Sequence, residues 1–248
     1  MRKVLFAVML FVFVTPVQAD DAADAKKLVE RAIKAGNLPD TAKMTGLTWK
    51  DKGKFSAMGI ELPYTADWAV QFPDKYRFVL AAEFMGMKIN ITMVTAGEKA
   101  WEKMDDQTQE ITGDKLEYVK HEMHELWVTS LHPLLADKEF KLSLAGEQVV
   151  SEKKATGVKV ERGKHPAITL YFDNTTGLLV KAETKVKDEF QGWKEVPSET
   201  YYEDYKDVDG RKMFAKLRVV RDGKPMIESI LSDGKWHEKL DAKLFDKP

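Results

Sequence analysis

The sequence predicts an α+β fold dominated by one strongly curved antiparallel sheet. Three observations carry that expectation. Apolar and polar residues alternate with a period of two over most of the chain, only two stretches switch to helical spacing, and Asp-Gly pairs punctuate the C-terminal part. The runs amount to about eleven strands, enough that an open sheet curls on itself. The expected product is a barrel or half-barrel of about eleven strands wrapped around its helices, which cover the concave face.

Residues 1–19 stand apart from that fold. Arg2 and Lys3 precede the apolar run VLFAVMLFVFV at 4–14, and Val17 and Ala19 place small residues before Asp20. A basic start, a short apolar segment and a small-residue site form an export signal, with cleavage expected between Ala19 and Asp20. The apolar run falls short of the ~20 residues that a membrane span needs. The expected organisation is a signal peptide at 1–19 and a single exported domain at 20–248.

The chain contains no Cys, so disulfides, a thiolate metal site and a lipidated N-terminus are not expected. Stability then has to come from a sizeable core. The 39 basic and 40 acidic side chains nearly cancel. No surplus positive charge is available for phosphate backbones, which argues against a nucleic-acid partner.

Each element follows from its local pattern. At 22–35, Ala25, Leu28, Val29, Ala32 and Ile33 share one side of a short amphipathic helix that Gly36-Asn37 ends. From residue 44 the period becomes two. Trp68, Val70 and Phe72 share a face; after Pro73-Asp74 so do Tyr76, Phe78, Leu80, Ala82 and Phe84. Beyond Gly86 the set is Met87, Ile89, Ile91 and Met93.

A second helix is expected across 114–137, where Leu116, Val119, Met123, Leu126, Trp127 and Ser130 or Leu131 recur at three and four until His132-Pro133. Its Met, Trp and Leu content suits a cover for the apolar side of the sheet. Strand patterns then resume to the C-terminus. Asp209-Gly210, Asp222-Gly223 and Asp233-Gly234 are read as hairpin turns of a closing meander. A calcium loop is disfavoured at the first of them, because Arg211 and Lys212 follow where further oxygen ligands are needed.

Chemistry-bearing constellations are sparse. His121 and His124 on the middle helix lack the i, i+4 spacing of a helical zinc motif, so they read as part of a solvated helix face. There is no Cys and no G-x-S-x-G elbow, and His132, His165 and His237 fall in strand or turn contexts. Acidic pairs such as Glu199 with Glu203 read as the wet face of a sheet. No catalytic residue, metal or cofactor is assigned, and the chain is read as not an enzyme.

What the middle of the chain does supply is large, adaptable apolar side chains. The residues expected to line a ligand cavity are Trp68, Phe78, Met87, Ile89 and Ile91, together with Met93, Trp101, Trp127 and Leu131. The same residue types also fill an ordinary core, so a packed interaction or structural module binding protein or polysaccharide on its sheet face stands as the alternative.

The strand-turn-strand WAVQFPDKYRF at 68–78 resembles the family of periplasmic outer-membrane lipoprotein carriers with the LolA/LolB-like fold. HPLLADKEFKLSL at 132–144, ATGVKVERGKHPAITLYFDNTTGLLVKAE at 155–183 and YYEDYKDVDGRKMFAKLRV at 201–219 are similar to a variant branch of that family. The resemblance covers nearly all of the chain after the export signal. It implies an unclosed β-barrel whose mouth is capped by helices, with a hydrophobic cavity that holds acyl chains without bonding to them. The partners so implied are lipid or lipoprotein acyl chains and a membrane-protein donor or acceptor, with the carrier itself a monomer. Unlike LolB-type lipoproteins, this chain has no N-terminal Cys.

Overall fold

The computed structural model describes residues 17–248, with side chains from residue 21 onward. Most of the expected export signal therefore lies outside the described residues. The elements are α1 (Val17–Gly36), β1 (Gly46–Ala57), β2 (Ile60–Gln71), β3 (Lys75–Phe84), β4 (Met87–Ala96), β5 (Lys99–Met104) and β6 (Gln107–Ile111). Helices α2 (Gly113–Thr129) and α3 (Pro133–Ala136) follow. Next come β7 (Lys141–Val150), β8 (Lys153–Glu161), β9 (Ile168–Asp173), β10 (Leu179–Asp188), a 3-10 turn (Glu189–Gln191) and β11 (Lys194–Glu203). The chain ends with β12 (Lys206–Val208), β13 (Arg211–Met213), β14 (Lys216–Arg221), β15 (Lys224–His237) and a second 3-10 turn (Ala242–Phe245).

Thirteen strands form one antiparallel sheet in the order β6-β5-β4-β3-β2-β1-β15-β14-β11-β10-β9-β8-β7, and β12 pairs with β13 in a separate ribbon. Two meanders thus meet where β1 pairs with β15. The chain passes from one free edge, β6, to the other, β7, through α2 and α3. A sheet of this width twists by roughly 20° per strand and curls. The crossing helices lie on its inner face, and the edges stay unpaired, which is the unclosed barrel expected from the sequence.

The strand count exceeds the expected eleven for identifiable reasons. In β1, Lys50, Lys52 and Lys54 interleave with Asp51 and Gly53, so the alternation is hard to see. β6 reads QTQEI and is polar on both faces except for Ile111. Conversely, EFKLSL and EQVV belong to a single strand, β7, whose ladder with β8 shifts register between Leu144 and Glu147.

Of the three Asp-Gly pairs, two turn hairpins: Asp209-Gly210 between β12 and β13, and Asp222-Gly223 between β14 and β15. Asp233-Gly234 does not. It lies inside β15, where the pair opposes the single residue Trp49 in a bulge and Asp233 has φ +55°. A bulge and a hairpin ask for the same positive φ, so the local signal cannot separate them.

Two apolar clusters fill the inner face. One joins α1, α3 and the end of α2 to β7–β10, with Val29, Leu131, Leu134, Ile168 and Leu170 at its centre. The other joins Val119 and Met123 of α2 to Val70, Phe72, Tyr76 and Ala100. α2 therefore covers the sheet as its apolar stripe predicts.

Candidate functional site

The inner face of β1–β5 is set by register. Val70 lies opposite Tyr76, Trp68 opposite Phe78 and Ala66 opposite Leu80. The rows continue into β4 with Phe78 opposite Met93, Leu80 opposite Ile91, Ala82 opposite Ile89 and Phe84 opposite Met87. Period-two alternation in four adjacent strands thus assembles one apolar surface.

That surface has two zones. Under α2, Trp68 stacks on Trp49 with ring centroids 5.1 Å apart and meets Phe78 at 4.4 Å, while the Tyr76 hydroxyl oxygen lies 3.1 Å from the Met93 sulfur. Toward the hairpin tips the cover ends. Phe55, Leu62, Leu80, Phe84, Ile89 and Ile91 are only partly buried, and Met87 is 63% exposed. Phe190, from the turn after β10, reaches over to Phe55 with centroids 5.7 Å apart. The result is an uncovered apolar band running inward from the open end.

The expected lining residues distribute unevenly. Trp68, Phe78 and Met93 come together beneath α2, and Ile91, Ile89 and Met87 continue the same face along β4. Trp127 joins both clusters and packs on Phe140 at 5.3 Å. Leu131 is 2% exposed within the α1 cluster, a core position rather than a lining one. Trp101 lies opposite Val94 in the β4–β5 ladder, one residue out of phase with Met93, and so is on the convex face away from the others. With Ala100 and Trp101 adjacent in β5, the local pattern does not set which of them faces inward; the ladder does. Phe55, Leu62 and Leu80 also belong to this face, Leu80 with the same parity as Phe78 and Phe55 opposite Leu62.

Two depressions also open on the sheet. One, of about 370 Å³, is lined by residues that include Trp49, Trp68, Arg77, Val79, Asp233 and Leu244; the other, of about 590 Å³, involves Lys164, Thr169, Glu183 and Glu199. Neither contains the partly buried band on β3 and β4, apart from Val79 on the reverse side.

A polar stripe lies beneath α2. Glu122 accepts hydrogen bonds from the Tyr118 and Tyr76 hydroxyls, Glu125 from Thr200, and the Arg221 guanidinium donates to the Tyr118 oxygen. Burial raises the Glu122 carboxyl and pushes Glu125 up to about 7. On β1, burial likewise pushes Asp51 up to about 6, against the opposing hydrogen bond from Trp68.

His121 and His124 overturn the solvated-face reading. Both are 6% exposed and turned toward the sheet. His121 lies 3.3 Å from the Thr184 hydroxyl, and His124 stacks on His165 with centroids 3.9 Å apart. Burial pushes them down to about 4 and about 3, respectively, with neighbouring imidazoles adding to the effect. Helical spacing put the two on one face, but only the sheet decided that this face is covered. No group of metal-ligating side chains with suitable geometry occurs among the described residues.

No protein-family model and no curated protein matches the chain. Solved structures do. A DUF1329 family protein from Desulfovibrio piger is similar over 91% of this chain and 97% of its own, with 12% identity and TM-score 0.57. A LolA superfamily protein from Nitrosomonas europaea is similar over 90% and 97%, with 12% identity and TM-score 0.57. A domain from Vibrio parahaemolyticus, whose proposed role is outer membrane lipoprotein sorting, is similar over 92% and 98%, with 8% identity and TM-score 0.55. At such identities it is the architecture that is shared: an open antiparallel sheet curled over crossing helices, which is the LolA-like fold.

Proposed function

We propose that the chain is an exported, non-enzymatic carrier of apolar, lipid-like ligands, held on the inner face of its sheet. The observation that carries this reading is the apolar band of β1–β4, which α2 leaves uncovered in a fold shared with LolA superfamily proteins. Burying such a surface against an acyl chain is favourable by ~25 cal/mol per Å² before entropic losses. Loading the outer part of the band needs no displacement of α2, whereas access to Met93 and Trp127 does.

In this reading residues 1–19 are removed on export and residues 20–248 act as one periplasmic domain. The carrier is monomeric and exchanges acyl-chain cargo with a membrane-protein donor or acceptor. Native mass spectrometry of the purified protein with co-extracted lipid tests it, together with uptake of an apolar fluorescent probe. Bound lipid and a bright probe are expected. A ligand-free spectrum with no probe response would sink the carrier and favour the packed interaction module.

A further inference from the structure

The inner face holds one cation that its own structure leaves largely unsatisfied. Arg221 ends β14 beneath α2 and is 9% exposed. A guanidinium has five N–H donors. Here Nη2 donates to the Tyr118 hydroxyl at 3.0 Å, the group lies 5.3 Å from the centre of the Tyr118 ring, and Nε meets no acceptor. Among the described residues Arg221 makes no ion pair, whereas Lys181 and Arg218 on the neighbouring strands pair with Glu199 and Glu203. Burying a guanidinium with one hydrogen bond to a neutral phenol is strongly unfavourable unless an acceptor joins it.

The setting is amphiphilic. Ser198 lies directly opposite Arg221 on β11 and is buried on the same face. The Glu189–Gln191 turn sits beside the β14–β15 turn through a 3.4 Å contact of the Gln191 side chain with Asp222. Its Phe190 meets Phe55 at the head of the apolar band.

We propose that Arg221, with Tyr118 and Ser198, forms a head-group site for a long-chain amphiphile ending in an anionic oxygen group, a carboxylate or a phosphate monoester. The tail lies along Phe55, Leu80 and Ile91. The inference rests on the apolar-ligand reading and adds its specificity. A fork of two guanidinium N–H groups on two anionic oxygens is the strongest pairing open to this side chain. The nearby carboxyls have partners of their own: Glu122 accepts from the Tyr118 hydroxyl, Glu125 from the Thr200 hydroxyl, and Asp188 is engaged as a cap, its Oδ1 accepting from the Phe190 N–H at 2.8 Å.

The test is displacement of an apolar fluorescent probe from the purified protein by palmitate, hexadecyl phosphate and methyl palmitate. Palmitate or hexadecyl phosphate, or both, should displace at least tenfold better than the ester, and whichever does so identifies the head group. Arg221→Gln should bring that ratio to near one, with folding checked by circular dichroism. If that variant does not fold, Arg221→Lys, which keeps the charge but loses the fork, should lower the ratio. An ester as effective as both anions, or a ratio that survives substitution, overturns the head-group site while the carrier reading stands. No displacement by any of the three overturns both.

Discussion

Replacing His124 by Phe should remove a large part of this protein's sensitivity to acid. His124 is 6% exposed, stacked on His165 and Phe140 and within 6.3 Å of Trp127. Burial, then the His165, His121 and Arg162 charges, pushes its imidazole down from 6.5 to about 3. A group lowered in this way stabilises the fold fully above its unfolded value and loses that contribution as the pH falls toward the folded value. At pH 5, one and a half units below 6.5, the loss is about 2 kcal/mol.

Phe keeps the ring in the stack and cannot take a proton. Urea unfolding followed by Trp fluorescence at pH 7 and pH 5 should therefore show the wild type losing about 2 kcal/mol more than His124→Phe over that interval. The difference between the proteins is the relevant quantity, because Glu125 and Asp51 act with the opposite sign. Their raised carboxyls stabilise below their ordinary values and lose that contribution as the pH rises through about 7 and about 6. Parallel pH dependences for the two proteins would refute the argument that His124 is held neutral by burial.

Glu125→Gln should stabilise the protein by about 2 kcal/mol at pH 8, where the buried carboxylate is charged, and by little at pH 5; thermal melting at both values checks it. Gly53→Ala should destabilise by ~2 kcal/mol or more, since its Cβ would come within 2.3 Å of the Glu228 carbonyl oxygen across the β1–β15 seam. An unchanged denaturant midpoint would contradict that close approach. Leu131→Ala, in the packed core, should cost about 3 kcal/mol without selectively affecting probe uptake. Ile91→Lys, on the half-buried band, should do the reverse, abolishing uptake while leaving the unfolding free energy within about 1 kcal/mol of wild type. Equal stability losses would show that Ile91 is core.

The legible parts of the fold were those with a local cause. The α1 stripe of Ala25, Val29 and Ala32, the helical spacing of Val119 and Met123, and the inner-face sets on β2, β3 and β4 all follow from side-chain periodicity. The sequence is ambiguous where one local signal serves two structures. Asp233-Gly234 has the backbone of a turn but sits in a bulge, and Trp101 belongs to a strand whose phase was not fixed by its few apolar neighbours. The head-group candidate was invisible for another reason. Arg221, Tyr118 and Ser198 come from β14, α2 and β11, with no shared spacing.

The sequence by itself determined that this chain is a curved antiparallel sheet with helices laid on its apolar side, because alternation and helical spacing are properties of neighbouring residues. The tertiary structure decided which part of that apolar side stays open and which charged groups are shut in with it. The open band exists because α2, in crossing from β6 to β7, ends its cover at Met93 and leaves Ile91, Ile89 and Met87 beyond its reach. Burial of His124, Glu125 and Arg221 has the same origin: solvent is excluded by elements far away in the chain, and no local pattern records that.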